Sequence, residues 1–334
     1  MLGKAAGIGY RERSTGMAGD DGLNAGDEGL NEGLRHGVYG TPPDALCAVA
    51  PEAIQFSPLL PGSSALEAQA PGSLASLVML APPATIERRY AIALGLRALA
   101  PGAPFTILAP RDRGGARLAA ELEAFGCAVH DEARRHHRIC TGLRPARPVG
   151  IEDALREGAP RFIEALGLWS QPGVFSWDRI DPGSALLIQH LPALSGRGAD
   201  FGGGTGVLSQ AILASPKVTK LSLYEIDRRA IEAAKRNIED ARIDPRWADL
   251  RQPDATLAKL DFVVMNPPFH DGGAEDKTLG QSFIRRAAES LRNGGQLWLT
   301  ANRHLPYEAV LKPLFKHVTV VAEASGYKIF EARK

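Results

Sequence analysis

The sequence predicts an α/β fold whose strand–loop–helix pattern occurs twice along the chain, on three observations. The apolar run Phe262-Val263-Val264-Met265 stops at Asn266-Pro267-Pro268-Phe269, as a buried strand stops at a loop. Residues 198–209 read Gly-Ala-Asp-Phe-Gly-Gly-Gly-Thr-Gly-Val-Leu-Ser, a strand end followed by a glycine loop and a helix start. Upstream, Phe105–Ala109 reads as a strand and runs through Arg111-Asp112-Arg113-Gly114-Gly115 into a helix ending near Phe125. Strands alternating with helical patterns favour a mainly parallel sheet.

Taken in order, residues 1–40 hold eleven glycines, few aliphatics and more acids than bases. Such a stretch buries too little apolar surface to offset the entropy of ordering, so disorder is expected there. A first domain is expected over 41–148. It takes in short strands within 54–85, including Leu74–Leu80, and a helix over Ile86–Leu99 that stops at Pro101-Gly102. Residues 149–164 mix proline, glycine and charge, and are expected to be a linker. The second domain, 165–334, places Leu279, Phe283, Ile284, Ala287, Ala288 and Leu291 on one face of a helix that Gly294 and Gly295 stop. Gln296–Ala301 then reads as a strand, and Val318–Val321 and Tyr327–Phe330 as a closing hairpin around Ser325-Gly326.

Composition bounds the function. Lys and Arg number 39 against 38 Asp and Glu, a net charge of +1, so nucleic-acid binding needs a local basic patch. Residues 134–148 offer one, with Arg134, Arg135, Arg138, Arg144 and Arg147, two histidines and no acid. Arginine forks suit phosphate oxygens, although a solvated face has the same composition. The three cysteines are far apart and show no metal or disulfide spacing, so no metal is expected. No run approaches membrane length and no signal-peptide pattern is present, which predicts a cytoplasmic protein with no membrane partner.

The chemistry concentrates in two motifs. Gly202, Gly204 and Gly206 make a Gly-x-Gly-x-Gly loop, and Glu225 ends the next strand 19 residues later. Glycines let a ligand approach the backbone, and an acid at that distance can accept hydrogen bonds from ribose hydroxyls. A nicotinamide fingerprint would need glycine where Val207 stands. The carboxamide oxygen of Asn266 and the carbonyl of Pro267 can each accept one N–H of a planar amino group, while Phe269 offers a face for a base to stack on. Adenine N6, cytosine N4, guanine N2 and a glutamine amide all satisfy that grip.

In combination these motifs resemble class I S-adenosylmethionine (SAM) methyltransferases. Pro172-Gly173-Val174-Phe175-Ser176, Asp181-x-Gly183-Ser184-x-Leu186-Leu187, Asn266-Pro267-Pro268-Phe269-His270-Asp271-Gly272 and Ala301-Asn302-Arg303-x-Leu305-Pro306-Tyr307 together resemble the bacterial ribosomal RNA small-subunit (guanine-N2) methyltransferase C family. The resemblance is close over 165–334 and looser over 75–145. It implies tandem Rossmann-like class I methyltransferase domains, the N-terminal copy degenerate and the C-terminal copy catalytic on a seven-strand sheet. It also implies SAM as cofactor and ribosomal RNA or the small ribosomal subunit as partner. Guanine N2 in large-subunit RNA, another amino nitrogen, and a non-catalytic RNA-binding or ribosome-assembly role are the alternatives. The family's loop usually carries Cys where Gly203 stands, a loss expected to loosen the loop.

On this reading Asn266, Pro267 and Phe269 are the catalytic candidates. Asp200, Gly202, Gly204, Gly206, Glu225 and Asp249 are the cofactor candidates, with Asp200 shaping the loop or meeting the amino-acid end of SAM, and Asp249 meeting its adenine. Phe175, Phe269, His270, Arg134, Arg135 and Arg138 are the substrate candidates; core packing is the equal alternative for Phe175. Trp177, Trp247 and Trp298 read as core or pocket wall. The strand at 105–109 is followed by no Gly-x-Gly-x-Gly loop and no Asn-Pro-Pro motif, so its half is expected to position RNA or shield the catalytic half, with stabilisation by packing as the alternative.

Overall fold

Strand-type apolar runs and helix-periodic segments alternate as predicted in a computed structural model that describes residues 33–268, 270–271, 274–275 and 277–334. The amino-terminal half runs β1 (Arg35–Tyr39), β2 (Ile54–Phe56), β3 (Leu74–Leu80), α1 (Thr85–Ala98), β4 (Pro104–Pro110), α2 (Ala116–Ala124), β5 (Val129–Arg134) and β6 (His137–Leu143). A connecting stretch holds α3 (Ile151–Gly158), β7 (Arg161–Ile163), β8 (Leu168–Ser170) and α4 (Pro182–His190). The carboxy-terminal half opens with β9 (Gly196–Phe201), α5 (Val207–Leu213), β10 (Val218–Glu225), α6 (Arg228–Asn237), β11 (Ile243–Trp247) and β12 (Leu260–Met265). It closes with the two-residue strands β13 (His270–Asp271) and β14 (Ala274–Glu275), then α7 (Lys277–Ser290), β15 (Leu291–Asn302), α8 (Glu308–Leu314), β16 (His317–Ala324) and β17 (Tyr327–Arg333).

The second sheet has the order β11-β10-β9-β12-β15-β17-β16, parallel except where β17 runs antiparallel between β15 and β16. Ser325 and Gly326, both at positive φ, turn the closing hairpin as the sequence predicts. The first sheet has the order β2-β1-β3-β4-β6-β5. That is the second sheet without β11, strand for strand: β1 stands for β9, β3 for β12 and β4 for β15. The duplicated fold is therefore borne out. Continuous apolar strands give each half its own core, around Phe56, Leu77, Met79 and Ile107 in one and Phe201, Val263, Met265 and Leu299 in the other.

Three expectations about boundaries change. Residues 35–39 pair as β1, with Val38 and Tyr39 buried, so the expected disorder does not hold there; residues 1–32 lie outside the described residues. The segment expected to be a linker contains α3, which buries Ile151 and Ala154 and packs at Gly158 against Tyr90 on α1. Gly294 and Gly295 lie inside β15, after α7 has ended at Ser290.

The basic run lies at the edge of the first sheet. It forms the β5–β6 hairpin, turned at Arg135 and His136 with φ of 46° and 62°. Arg138 pairs with Asp131 across the hairpin, Arg134 donates to the carbonyl of Leu46, and Arg144 donates to the carbonyls of Leu96 and Pro145. Arg134 and Arg138 thus each turn part of a guanidinium toward the protein, and Arg135 stands exposed at the hairpin tip.

The degenerate half also explains its own lack of chemistry. Ala81-Pro82-Pro83-Ala84 follows β3, in the place that Asn266-Pro267-Pro268-Phe269 holds after β12. The motif sought after β4 therefore lies one strand earlier. Alanine replaces the carboxamide, and the buried guanidinium of Arg88 donates to the carbonyls of Pro83 at 2.6 Å and Pro82 at 3.3 Å. Glu121 neutralises Arg88 through two bonds of 2.7 and 2.6 Å. The acceptors that would grip a substrate amino group hold an internal cation instead.

Candidate active site

Register places the motif residues at one edge of the second sheet. Met265 lies opposite Phe201, Phe201 opposite Tyr224, and Glu225 opposite Trp247. The residues that follow these strands, Asn266 and Gly202, therefore emerge side by side with Glu225 and Ala248. The chain order reverses between β9 and β12, and open α/β sheets place ligands in the crevice at such a point. A Cβ on Gly202 would lie 3.9 Å from the carbonyl oxygen of Asn266 and 4.0 Å from Cδ of Pro268, so the two loops abut.

The orientation of Asn266 is the most informative detail. Its Nδ2 donates to Oδ1 of Asp181 at 2.8 Å and to Oγ of Ser184 at 2.9 Å. An ionised carboxylate only accepts, so the amide nitrogen must face it. A flipped amide would set oxygen against oxygen and forfeit a charge-assisted bond worth about 1.5–3 kcal/mol. Both Nδ2 hydrogens are used, and among the described residues Oδ1 meets no donor, so it can accept from a ligand. Asp181 is held in turn as the N-cap of α4, accepting from the Ser184 amide at 2.8 Å with Pro182 at the first helical position. Asp-Pro-x-Ser signals that cap in the sequence. Its bond to a residue 85 positions away leaves no local trace.

A cavity opens beside this amide, lined by Ser170, Phe175, Trp177, Asp181, Ser184, Gly202, Gly203, Gly204, Thr205 and Asn266. Phe175 is 62% exposed at its rim, so the core-packing alternative for it falls. Ser176, next to it, holds φ of 49°, a conformation that costs a non-glycine residue about 1 kcal/mol or more. Ser170 Oγ is buried in the wall with no partner among the described residues, a polar atom that a ligand can satisfy. Pro267 is buried and supplies a carbonyl without an N–H. Phe269 lies outside the described residues. His270 is described only as part of β13, so the stacking and substrate roles expected of these two remain proposals.

The cofactor candidates separate by position. Gly202 and Gly204 line the cavity, and a Cβ on Gly204, at φ of 55°, would meet nothing within 4 Å; the loop leaves open space there for a ligand. Gly206 instead caps α5 against Ile238. A Cβ on Gly203 would lie 2.5 Å from Cγ of Leu223, so that leucine occupies the space a side chain would take there. Glu225 accepts from the Gly204 amide through Oε2 and from the Asp227 amide through Oε1, each at 2.9 Å. Burial pushes its carboxyl up to about 6, opposed by those two N–H groups. It is ionised at neutral pH, and each of its oxygens has a second lone pair with which to accept.

Asp249 lies elsewhere. Arg251 ties it through its backbone N–H and guanidinium, and it lines a separate recess of about 550 Å³ with Trp247, Leu250, Asp254 and, from the other half, Leu60 and Pro61. Ala248, in the same recess, donates its N–H to the carbonyl of Glu225 at 3.0 Å. Glu225 lines neither recess but is bonded to a wall of each, to Gly204 of the first and Ala248 of the second. Trp177 and Trp247 are walls and Trp298 is core, as expected.

Asp200 sits beneath the loop, fully buried, and takes the hydroxyl of Ser209 at 2.7 Å. It does not line the cavity, which favours loop shaping over contact with the amino-acid end of SAM. Burial pushes its carboxyl up to about 7. Because an unfolded aspartate titrates near 3.9, the stability it lends is fully present below about pH 4 and is lost as pH rises through 7. Asp200→Asn cannot ionise, so the variant should gain on the wild type as pH rises from 4 to 8, by at most about 4 kcal/mol. Thermal unfolding of both across that range checks this; parallel curves would contradict it.

With this geometry in place, comparison with known proteins identifies the family. Residues 165–331 match the family model described as Methyltransferase small domain. The ribosomal RNA small subunit methyltransferase C of Pseudomonas aeruginosa is 31% identical over 310 residues, covering 88% of this chain and 93% of that protein. The chain belongs to the ribosomal RNA small subunit methyltransferase C family. The family member from Shewanella loihica is 28% identical over 263 residues, 78% of this chain and 77% of that protein. Among solved structures, the T. Thermophilus 16S rRNA N2 methyltransferase in complex with AdoMet and guanosine shares the fold, with a TM-score of 0.67 and 23% identity over 81% of this chain and 76% of that one. The small subunit methyltransferase C family is thus the one its motifs resemble, with two class I methyltransferase-like halves and the motif-bearing site in the second. Among the described residues no cluster of His, Cys, Asp or Glu could hold a metal ion, and no helix is long and apolar enough to cross a membrane.

Proposed function

We propose that this chain transfers a methyl group from SAM to the exocyclic N2 of a guanine in small-subunit ribosomal RNA. The observation that carries the reading is the Asn266 carboxamide, locked with Nδ2 on Asp181 and Ser184 so that Oδ1 can accept. The names of its relatives support ribosomal RNA of the small subunit, and that of the T. Thermophilus enzyme supports N2 of guanine.

Guanine N2 presents only N–H donors to its surroundings, so two acceptors hold it: Oδ1 of Asn266 and the carbonyl of Pro267. Its lone pair is delocalised into the ring and attacks weakly. As the new bond forms, positive charge grows on N2 and its N–H groups become stronger donors. The two acceptors therefore bind the transition state better than the ground state, which is what accelerates a reaction. No ionised base is needed, since the surplus proton is strongly acidic once the bond is made and leaves to water. When bound, SAM supplies the activated methyl on its sulfonium. Glu225 would hold the ribose, Gly202 and Gly204 would let the cofactor lie on the backbone, and Phe175 at the rim would stack an RNA base.

The test is transfer of radiolabelled methyl from SAM to free small-subunit RNA and to intact small subunits, followed by nucleoside analysis. N2-methylguanosine in small-subunit RNA is the expected product. Label on adenine, cytosine, protein or large-subunit RNA would overturn the substrate assignment.

A further inference from the structure

The loop that follows Glu225 is held from the amino-terminal half. Pro58 offers its carbonyl to the Arg228 amide at 2.9 Å and to Nε1 of Trp247 at 3.1 Å. Glu67 pairs with Arg228 at 3.0 Å. Deeper in, Glu87 on the first turn of α1 meets Arg229 at 2.8 Å, with the two residues only 8% and 6% exposed. Arg229 clasps Asp227 with Nε at 3.0 Å and Nη2 at 2.8 Å, and its backbone N–H meets the same carboxylate at 2.9 Å. Asp227 is the N-cap of α6, and its own N–H is the donor that fixes Oε1 of Glu225. A continuous chain of short bonds therefore runs from Glu87 through Arg229 and Asp227 to Glu225.

The same ion pair supports the opposite wall. Gly173, at φ of 101°, lies so close that a Cβ there would stand 2.6 Å from Cδ of Glu87 and 2.7 Å from Nη1 of Arg229. Two residues on, Phe175 reaches the cavity rim. Glu87 directly precedes Arg88, the cation that fills the degenerate site. On α1 one charged side chain closes the unused site and its neighbour reaches across to the active half.

We propose, on the reading of Glu225 as the ribose acceptor, that the amino-terminal half is a positioning element for the cofactor: Glu87, acting through Arg229 and Asp227, sets the aim of Glu225. Glu87→Gln keeps the side chain's size and removes its charge. The probes are S-adenosylhomocysteine and its 2′-deoxy analogue, whose affinities are measured by calorimetry on the full chain. Wild type should prefer the hydroxyl-bearing ligand by roughly tenfold, the worth of one hydrogen bond to a charged group. Glu87→Gln should lower that preference at least threefold, toward the value of a Glu225→Gln control. A general loss of affinity with the preference intact would mark a merely structural role and overturn the proposal, as would an unchanged variant. A Glu225→Gln control that keeps the wild-type preference would remove the ribose assignment, and the proposal with it. If Glu87→Gln does not fold by circular dichroism, Glu87→Asp, which keeps the charge but withdraws the carboxylate from Arg229, is read on the same ratio; a smaller fall is expected, and no fall overturns the proposal.

Discussion

Asn266→Ala is expected to bind SAM within a few-fold of wild type and to transfer methyl roughly a hundred- to a thousand-fold more slowly. The carboxamide is held by Asp181 and Ser184, not by the glycine loop, so its removal leaves the loop's bonds to Tyr224 and Glu225 in place. What is lost is an acceptor aimed at a nitrogen that becomes cationic only during transfer. Loss of such a group lowers kcat and kcat/KM together. Single-turnover rates at saturating SAM, with cofactor affinity measured separately, check the split. A wild-type rate would defeat the amino-group grip, and equal losses of rate and SAM affinity would place Asn266 in the cofactor site.

Glu225→Ala should fail at the preceding step. Two hydroxyl-to-carboxylate bonds, each worth about 1.5–3 kcal/mol, make an affinity loss of about a hundredfold or more the expected result. The variant also uncaps the amides of Gly204 and Asp227. The pH dependence carries a sign. With its carboxyl pushed up to about 6, Glu225 accepts hydrogen bonds fully above that value, so wild-type SAM affinity should fall as pH drops through 6. Titration of SAM into both proteins between pH 5 and 8 checks this. A flat wild-type profile, or normal affinity in the variant, would remove the ribose assignment.

The parts of the site visible in the sequence are those whose chemistry is local. Glycine loop, strand-end acid and Asn-Pro-Pro each announce themselves within a few residues, and a parallel sheet brings strand ends to one edge by its topology alone. Contacts that aim these groups were not legible. Asp181 and Asn266 are 85 residues apart, and Glu87 and Arg229 lie on different halves; no periodicity relates them. The surroundings of the basic run are hidden from the sequence in the same way. The stretch 134–148 contains no acid, but hairpin pairing sets Asp131, just outside it, beside Arg138. Ala81-Pro82-Pro83 gives no signal in the sequence, because a motif without its asparagine carries no chemistry, and only the sheet order reveals what it replaces. Gly203 shows the same limit, since the side chain that fills its space, Leu223, belongs to the neighbouring strand.

The central claim is that Asp181 fixes which end of the Asn266 amide meets the substrate, and Asp181→Ser tests it most directly. Serine keeps an N-cap for α4 but is too short to reach Asn266 as aspartate does. The measurement is the single-turnover methyl-transfer rate on small-subunit RNA at saturating SAM, alongside SAM affinity and melting temperature. The account predicts a rate about tenfold lower or worse, with affinity and melting temperature near wild type. A wild-type rate in the folded variant would contradict it.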